Sequence, residues 1–401
     1  MSPLTESKAR TLLNEYGSPL YIYDEQIIRN QTQALKQAFA EWKKKHFFYA
    51  CKANTNIHLL RIIREEGLGL DCVSPFEAEL GMVAGFQPEA MLFTVSSMSD
   101  ADMDFAQQKN ILINIDDLGR LEIFGKKYPG SRVCIRLTPE VVGGHHAKVQ
   151  TGHKETKFGM LFSDIPQILQ IAKQYQLKIV GLHEHTGSGL TTQHVLESMG
   201  QMMGIAHHFP DLQFLDLGGG FPISYRETEQ PFDVSGFAKE VIEKFKAFCK
   251  EYERELELWF EPGRYLVAEA GILLCTATTL KNRGAKTIVG VDTGFNHLIR
   301  PVLYESYHQI TNLNNSDGKT KKYDIVGNVC ETGDTFAKNR SIAEMRVGDI
   351  LAIHNTGAYG FSMASRYNSR PLPAEVLLSN GKVKLIRKRE ALQDFLASQT
   401  L

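Results

Sequence analysis

Five apolar runs in the first third of the chain decide the fold: FFYACKA (47–53), LGLDCVS (68–74), AMLFTVS (90–96), ILINID (111–116) and RVCIRL (132–137). Their starts lie 21 or 22 residues apart. Stretches with the apolar spacing of an amphipathic helix separate them, for example at residues 57–63. Strands that alternate with helices in this way predict right-handed βα units around a parallel sheet.

The same rhythm continues at 178–186 (KIVGLHEHT), 214–220 (FLDLGGG) and 258–264 (LWFEPGR), which brings the strand-like runs to eight. Eight βα units are the number that closes a TIM-like (β/α)8 barrel. An open, doubly wound sheet of the Rossmann type is the alternative, and it explains the count of eight less well.

The pattern changes at Gly271, where strand-like runs follow one another without long helices between them: 272–280, 286–292, 323–330, 348–354 and 374–378. Asn380-Gly381 joins the last run to KVKLIR, and this dipeptide is a strong hairpin signal. The polar stretch 314–322 is predicted to be a loop or hairpin tip. These features predict a mostly antiparallel β domain.

The segment YIYDE (21–25) also has strand character, although it precedes the barrel and a helix near 26–40. Pairing of this strand with the C-terminal sheet would make the second domain discontinuous. We therefore predict an α/β plus β fold, with a barrel over 27–270 and a β-sandwich or barrel-like domain formed by 1–26 and 271–401.

Composition restricts the function. The 401 residues include 45 basic and 46 acidic side chains, for a net charge of -1, so no basic field is available for nucleic acid or a membrane surface. The N-terminus lacks the apolar core of a signal peptide, and no apolar run is long enough to span a membrane. Six cysteines occur singly without a CxxC pair, which favours a cytoplasmic protein.

Unusual polar residues fall where the predicted barrel strands end, the face that carries active sites in such barrels. Lys52 ends the first strand, where removal from water would favour an uncharged amine for Schiff-base chemistry. A surface lysine that extends into solvent is the alternative. Gly218, Gly219 and Gly220 end the seventh strand and could either cradle a phosphate with backbone N–H groups or form a plain tight turn. No GxGxxG fingerprint is present, which disfavours NAD.

Two further strand ends carry polar side chains. Glu261 ends the eighth strand and needs a positive partner, either a protonated heteroaromatic nitrogen or the nearby Arg264. His185 could stack on a cofactor ring, and Ser188 could donate to a phosphate. His183 shares the strand face of His185, but no third ligand with suitable spacing is evident, so we predict no metal. An amine, a phosphate cradle, a carboxylate and a stacking histidine together indicate pyridoxal 5'-phosphate.

The motifs YACKAN, HEHTGSG, DLGGGF, EPGR, CETGD and GAYG resemble those of the fold-type III pyridoxal phosphate-dependent decarboxylases, which combine an alanine racemase-like barrel with a β domain. Three long segments, 144–159, 295–310 and 357–377, are most similar to the diaminopimelate decarboxylase family of the enterobacterial type. The likeness covers nearly the whole chain. It implies decarboxylation of meso-2,6-diaminopimelate to L-lysine and CO2, the last step of lysine biosynthesis.

The resemblance also implies site residues. Lys52 would bind the cofactor covalently, and Lys52 and Cys330 are both candidates for protonating the carbanion. The remaining cofactor contacts would be His185, Ser188, Gly218, Gly219, Gly220, Glu261, Pro262, Gly263, Arg264 and Tyr359. The substrate contacts would be Arg264, Arg300, Tyr304, Glu331 and Tyr359. Cys330 matches a cysteine that the partner subunit inserts into the active site, so a homodimer with shared sites is implied.

Two departures from the family pattern stand out. CETGD replaces the usual CESGD, and Thr332 keeps the hydroxyl group. Glu184 and Thr186 replace more apolar residues, and we expect Glu184 to face the helix layer. The loop 139–159, with His145, His146 and His153, is long, polar and glycine-rich, which predicts a lid rather than a metal site.

The arginine side chains expected around the distal end of the substrate favour diaminopimelate as the substrate. Arg300 with Arg264 could hold the distal carboxylate, and Glu331 could hold the ammonium. The alternatives are a related decarboxylase of ornithine, arginine or carboxynorspermidine, a racemase of the same fold, and a non-catalytic pyridoxal phosphate-binding protein. The IRPVLY and CETGD elements argue against the other decarboxylases, and CETGD also argues against a racemase. The 130 or so residues after the barrel argue against a non-catalytic binding protein.

Overall fold

The computed structural model describes residues 4–139, 156–189, 191–284 and 286–400. The chain divides into two compact units. The first unit contains Gln31–Pro222 and Phe232–Tyr265, and the second contains Met1–Asn30, Ile223–Pro231 and Leu266–Leu401. Within the described residues, no helix is long and apolar enough to cross a membrane.

The strands are given in chain order: β1 (Leu20–Asp24), β2 (Lys45–Ala50), β3 (Gly69–Cys72), β4 (Met91–Thr94), β5 (Leu112–Ile115), β6 (Arg132–Arg136), β7 (Lys178–His183), β8 (Phe214–Asp216), β9 (Glu257–Phe260), β10 (Gly271–Arg283), β11 (Lys286–Val291), β12 (Ile310–Asn312), β13 (Thr320–Val326), β14 (Thr335–Ala343), β15 (Ile350–Ile353), β16 (Ala374–Ser379) and β17 (Lys382–Arg387).

The α-helices are α1 (Glu6–Tyr16), α2 (Glu25–Ala38), α3 (Ile57–Glu65), α4 (Pro75–Ala84), α5 (Asp100–Gln108), α6 (Leu118–Lys127), α7 (Ile165–Tyr175), α8 (Thr192–Ile205), α9 (Val234–Glu251), α10 (Arg264–Val267), α11 (Arg300–Tyr304) and α12 (Leu392–Leu396).

Strands β2 to β9 form a closed, eight-stranded barrel in the first unit. All neighbours are parallel, and β9 closes the barrel against β2. Helices α3 to α10 alternate with these strands along the chain. The predicted (β/α)8 barrel is therefore confirmed, and each of the eight predicted strand runs overlaps an observed strand.

Local sequence signals fix the ends of the barrel helices. In α4, the Ser74 hydroxyl accepts a hydrogen bond from the Glu77 backbone N–H, and a proline occupies the first turn. The same helix ends at Gly85, which adopts a left-handed backbone conformation (φ 100°) that glycine reaches without steric cost. In α5, Ser99 and Asp102 form a reciprocal capping box. Such caps satisfy backbone groups that the helix itself leaves unpaired.

An aromatic layer fills part of the barrel interior. The rings of Phe214 in β8 and Trp259 in β9 stack with centroids 3.4 Å apart. Gly181 in β7 makes room for Phe214, because a Cβ atom there would overlap that ring. Asp216 lies two residues further along β8, so it shares the inward face of Phe214 nearer the C-terminal end of the strand. Apolar packing thus gives way to charged side chains along the barrel axis.

The described residues of the second unit contain a nine-stranded sheet. Its order is β14-β13-β11-β10-β1-β16-β17, and β15 pairs with β10 and β12. Most pairs are antiparallel; β1 with β16 and β11 with β13 are parallel. Because β1 also pairs with β10, the prediction that YIYDE joins the C-terminal sheet is confirmed.

The predicted hairpin at Asn380-Gly381 joins β16 to β17, with Ser379 opposite Lys382. Both turn residues have positive φ, 49° and 76°, as a tight two-residue hairpin turn requires. Strands β12 and β14 were not predicted. In β14, the polar stretch Lys338–Arg340 interrupts the apolar alternation, and the pairing with β13 shifts register nearby. The predicted loop 314–322 is correct only in its first part, because β13 begins at Thr320.

Candidate active site

Three predicted strand-end motifs lie together in the first unit. The Gly219 backbone N–H donates to His185 Nδ1 over 3.2 Å. The Glu261 N–H donates to the Gly218 carbonyl over 2.8 Å, and the Gly189 N–H to the Gly220 carbonyl over 3.1 Å. The segments HEHTGSG, GGG and EPGR therefore form one surface at the C-terminal ends of β7, β8 and β9.

The triple glycine allows this close approach. A Cβ atom at Gly219 would lie 2.3 Å from the Glu261 carbonyl oxygen, closer than real Cβ atoms approach. Gly218 has a positive φ of 63°, and a Cβ atom there would lie 2.6 Å from the Glu184 carbonyl oxygen. Side chains at these positions would fill the space between the three segments. The glycines leave a backbone-lined cradle suited to an anionic group.

Glu261 is a buried carboxylate, only 4% exposed. Its Oε2 lies 3.3 Å from His183 Nε2, and its Oε1 has no hydrogen-bond partner within the described chain. Burial raises the pKa of Glu261, and the charges of Lys52 and Arg136 oppose that shift. Burial and the charge of Arg136 hold the pKa of His183 well below its usual range, so His183 is a neutral neighbour. Glu261 thus presents an unsatisfied oxygen that suits a positively charged donor.

Asp216 corrects one sequence-based expectation. It lies opposite His183 in the β7–β8 pairing, and the ligand atoms of His183, Asp216 and Glu261 lie within 4.8 Å of one another. The expectation that no third potential ligand accompanies His183 was therefore wrong, because strand register brings residues together that are distant in sequence. Burial, followed by the charge of Glu261, raises the pKa of Asp216 well above its usual range. Two buried carboxyl groups this close together repel each other when ionised, so the cluster either keeps a proton or pairs with a positively charged group.

Lys52 lies in the short turn after β2, at the mouth of the barrel. Its Nζ is 3.1 Å from Asp71 Oδ2. Asp71 is fully buried, whereas the Lys52 side chain is 38% exposed. In this structure an ion pair with Asp71 holds the Lys52 amine at the edge of the site, and the expectation that Lys52 is withdrawn from water stays a prediction. Burial raises the pKa of Asp71, and Lys52 opposes that rise.

Sequence reasoning missed Asp71, Asp216 and Arg136. Arg136 ends β6 and is buried, and its guanidinium lies 4.7 Å from the centroid of the Phe158 ring. Burial lowers the pKa of Arg136, while nearby carboxylates, Glu261 first among them, raise it. A signal was available for all three residues, because each is a charged residue inside an otherwise apolar strand run.

Glu184 faces the helix layer, as expected. It is buried and accepts a hydrogen bond of 2.6 Å from the Ser198 hydroxyl in α8. Burial raises the pKa of Glu184 to about 8. Thr186, the second departure from the family pattern, is also buried. The partner of Glu184 was not foreseeable from the sequence, because it comes from the helix that follows the strand.

The second unit gathers several of the expected substrate residues around Arg300. This arginine lies in α11 and is only 2% exposed. Its guanidinium carbon is 5.6 Å, 5.8 Å and 5.9 Å from the ring centroids of Tyr225, Tyr304 and Tyr359. One guanidinium nitrogen donates to the Ser306 hydroxyl over 3.2 Å. Arg300, Tyr304 and Tyr359 are thus brought together, and Tyr225 and Ser306 are additions that the sequence did not reveal.

Cys330 and Glu331 lie in an exposed loop of the same unit. Asp334 shapes this loop, because its carboxylate accepts hydrogen bonds from the backbone N–H groups of Phe295 (2.7 Å) and Val329 (2.8 Å). The Cys330 N–H donates to Asn368 Oδ1 over 2.6 Å. These hydrogen bonds hold the loop so that the free Cys330 thiol and the Glu331 carboxylate lie at the surface.

The predicted site residues divide between the units. Those of the first unit are Lys52, His185, Ser188, Gly218, Gly219, Gly220, Glu261, Pro262, Gly263 and Arg264. Those of the second unit are Arg300, Tyr304, Cys330, Glu331 and Tyr359. The predicted lid falls mainly on residues 140–155, with His145, His146 and His153, and these lie outside the described residues.

Comparison with known proteins identifies the family. A family profile for "Pyridoxal-dependent decarboxylase, pyridoxal binding domain" matches residues 25–268. The diaminopimelate decarboxylase of Methanothermobacter thermautotrophicus is 40% identical over 400 residues, which cover 97% of this chain and 93% of that protein. The chain belongs to the diaminopimelate decarboxylase family. The resemblance inferred from the motifs is therefore confirmed.

Other members of the diaminopimelate decarboxylase family are similar over nearly their full length. The Escherichia coli K12 protein is 35% identical over 416 residues, covering 99% of this chain and 97% of that protein. The crystal structure of the Helicobacter pylori diaminopimelate decarboxylase complexed with L-lysine has a TM-score of 0.90 at 33% identity, covering 97% of this chain and 98% of that chain. A lysine/ornithine decarboxylase from Vibrio vulnificus, at 23% identity and a TM-score of 0.82, shares the fold.

The first unit fits the pyridoxal phosphate cofactor of the diaminopimelate decarboxylase family. Glu261 Oε1 is a buried carboxylate oxygen without a hydrogen-bond donor in the described chain, which is the partner that a protonated pyridine nitrogen needs. The glycine cradle at 218–220 would be filled by any Cβ atom at Gly219, and it suits a phosphate. Lys52 supplies a primary amine at the barrel mouth. The donor set therefore matches the aldehyde, ring nitrogen and phosphate of the cofactor.

Proposed function

We propose that this chain is a pyridoxal phosphate-dependent carboxy-lyase that converts meso-2,6-diaminopimelate to L-lysine and CO2, and so completes lysine biosynthesis. The observation that carries the proposal is Arg300, a buried cation enclosed by three tyrosine rings. A distal α-amino acid group on the substrate offers a carboxylate to such a cation. Near full-length similarity to diaminopimelate decarboxylases supports the same substrate.

The chain's own residues have distinct roles in this proposal. Pyridoxal phosphate, when bound, supplies the electron sink that stabilises negative charge at the substrate Cα as CO2 leaves. Glu261 keeps a proton on the ring nitrogen, because an ionised carboxylate in a buried site favours a cationic neighbour. His185 packs against the ring. Ser188, Gly218–Gly220, Pro262–Arg264 and Tyr359 surround the phosphate.

Lys52 holds the cofactor and also handles a proton. Its pairing with Asp71 supports this role, because the buried carboxylate fixes the position of Nζ and stabilises its protonated form. The thiol of Cys330 is the other candidate donor of the proton that Cα requires. Its place on an exposed loop suits delivery to the active site of a second subunit. We therefore propose a homodimer with shared sites.

Recognition of the distal end of the substrate rests on charge. Arg300 and Arg264 hold the carboxylate, Glu331 holds the ammonium, and Tyr304 and Tyr359 enclose this end of the substrate. Lysine, ornithine and arginine carry no distal carboxylate and would leave Arg300 without its anion. Such a mismatch costs several kcal/mol, because a buried polar group loses its partner.

Two broader features complete the proposal. We assign the cofactor-binding barrel to residues 27–270, and the domain that contributes substrate and interface residues to 1–26 with 271–401. A cytoplasmic location is supported by the six free thiols, five of them buried, which suit a reducing compartment.

The test is CO2 release by the cofactor-loaded protein from meso-diaminopimelate, L-lysine, L-ornithine and L-arginine side by side. We expect release from meso-diaminopimelate alone. Release from one of the other three would keep the roles of Lys52 and Glu261 but overturn the role of Arg300. In parallel, Arg300→Ala should reduce turnover far more than it reduces pyridoxal phosphate binding. An equal reduction of both would contradict the role of Arg300 in substrate recognition.

A further inference from the structure

A cavity that has no part in the proposed reaction lies in the unit that carries Arg300. It has a volume of about 580 Å³, within the range of small-molecule sites. Its lining includes Arg226, Glu305, Ser306, Tyr307, Lys338 and Arg340. We call it the arginine–tyrosine cavity. It lies between Arg226, helix α11 with the residues that follow it, and the start of strand β14.

Two guanidinium groups sandwich one aromatic ring in this cavity. The guanidinium carbon of Arg226 lies 3.9 Å from the centroid of the Tyr307 ring, and that of Arg340 lies 3.8 Å from it. Two planar groups this close to one centroid cannot share a face of the ring, so they stack on opposite faces. A guanidinium group that stacks on an aromatic ring can still donate hydrogen bonds from its edge.

Little negative charge in the described chain offsets these two cations. Arg340 donates from Nη1 to the neutral carbonyl of His308 over 2.8 Å. Arg226 approaches the Glu229 carboxylate only to 3.8 Å, the long end of an ion pair. Burial, with the nearby charge of Arg226, lowers the pKa of Arg340. Two like charges held on one ring cost free energy, and an anion beside them would relieve that cost.

The lining as a whole carries excess positive charge. Arg226, Lys338 and Arg340 contribute three cations, against the single carboxylate of Glu305. A guanidinium edge matches a carboxylate with two parallel hydrogen bonds. The cavity is therefore complementary to a small organic anion rather than to a cation such as L-lysine.

Ser306 connects this cavity to Arg300. Its side chain lines the arginine–tyrosine cavity and accepts a hydrogen bond of 3.2 Å from the Arg300 guanidinium. An anion in the cavity would thus lie one side chain away from the residue proposed to hold the substrate carboxylate. The anion in the cavity could therefore come from either of two sources. One is a carboxylate of the incoming substrate, and the other is a separate dicarboxylic acid.

We propose that the arginine–tyrosine cavity binds a carboxylate group of a small dicarboxylic acid. Binding of a dicarboxylic acid in this cavity does not depend on the proposed function. The further assignment of the bound carboxylate to the incoming substrate rests on the proposed function. A substrate with two carboxylates is attracted by such a site, whereas the lysine product has one carboxylate fewer and a net positive charge. The cavity would then favour substrate over product at the approach to Arg300.

The test is equilibrium dialysis of the cofactor-loaded protein with pimelate, which has two carboxylates and no amines. We expect saturable binding that weakens as salt is added. Arg340→Gln and Arg226→Gln should each weaken binding about tenfold or more, because each removes a charge-assisted contact. Arg226 is exposed, so its replacement provides a variant that keeps the fold even if Arg340→Gln does not. Arg346→Gln, an exposed arginine of the same unit outside the cavity, is the matched control.

Kinetics with meso-diaminopimelate then separate the two sources. A several-fold rise of KM at constant kcat in both cavity variants would identify the carboxylate as that of the substrate. Pimelate binding with unchanged KM would identify a separate dicarboxylic acid, and either result supports a carboxylate site. Absence of pimelate binding, or equal binding by wild type and both cavity variants, would overturn the proposal. Failure of the wild type to release CO2 would refute the proposed function alone, since dialysis does not depend on turnover.

Discussion

The contact between Gly219 and Glu261 allows a sharp test of the cofactor cradle. In Gly219→Ala, the new Cβ atom would lie 2.3 Å from the Glu261 carbonyl oxygen. Ordinary contacts between such atoms are near 3.4 Å, so the two segments must separate by about 1 Å. Backbone atoms on both sides cannot rotate away as a flexible side chain could. The strain must therefore move Glu261, the cradle, or both.

The size of the effect follows from that displacement. Overpacking of this kind costs about 1–3 kcal/mol. For a unit of this size, each kcal/mol lowers Tm by roughly 2–4 °C. A misplacement of about 1 Å at a reacting group costs about 100-fold in rate. We expect a lower Tm, weaker pyridoxal phosphate binding and a kcat reduced about 100-fold.

The assays are thermal unfolding, absorbance titration of the apoprotein with pyridoxal phosphate, and CO2 release. Gly204→Ala is the matched control, because Gly204 lies in α8 with nothing within 4 Å of its added Cβ atom. That change should stabilise the protein by about 0.5–1 kcal/mol and leave turnover intact. If Gly219→Ala matched the wild type in Tm and cofactor affinity, the proposed cradle would be wrong.

Four further predictions concern single side chains. Glu261→Gln keeps the shape but loses the charge, so kcat for CO2 release should fall about 100-fold while absorbance still shows bound cofactor. Asp71→Asn removes the carboxylate that holds the Lys52 amine, and steady-state kinetics should show kcat lowered about tenfold. Burial raises the pKa of Glu184 to about 8 from 4.5, so its contribution to stability is complete below pH 4.5 and is lost as pH rises through 8. Glu184→Gln cannot ionise and should gain about 1.4 kcal/mol per pH unit over the wild type within that window, measured by urea unfolding at pH 5 to 8. Gly381→Ala places a Cβ atom at φ 76° and should lower the free energy of unfolding by about 1 kcal/mol, seen as a lower urea midpoint.

The periodicity of the sequence was sufficient for the barrel. Parallel strands buried on both faces are continuous apolar runs, and each crossover helix imposes a similar spacing, so all eight runs were visible. The Asn380-Gly381 turn was equally local, since two positive φ values are encoded by two adjacent residues. Strand β14 was missed for the opposite reason. Its pairing with β13 is irregular, and Lys338–Arg340 break the alternation from which a strand is inferred.

The active site was only partly visible in the sequence. Lys52, Glu261 and the triple glycine stand out because they are unusual residues at strand ends. Asp71 is as important to the geometry, but its role is evident only from its contact with Lys52, which lies 19 residues away in another βα unit. The ion pair between Lys52 and Asp71 was not foreseen for the same reason. Pairings across strands depend on register, and spacing along the chain does not specify register.

The charge balance inside the barrel gives a physical reason for a cofactor with a protonated ring nitrogen. Within the described chain, Asp71, Asp216 and Glu261 form a buried carboxylate group opposed chiefly by Lys52 and Arg136. The neighbouring histidine contributes no positive charge, since its pKa is held well below the usual range. Burial raises the pKa of all three carboxyl groups, so the interior either retains a proton or gains a cation. A protonated pyridine nitrogen against Glu261 meets that requirement without burying a further side-chain cation. The acidic interior therefore favours the protonated ring, the form that withdraws electrons most strongly from the reacting carbon.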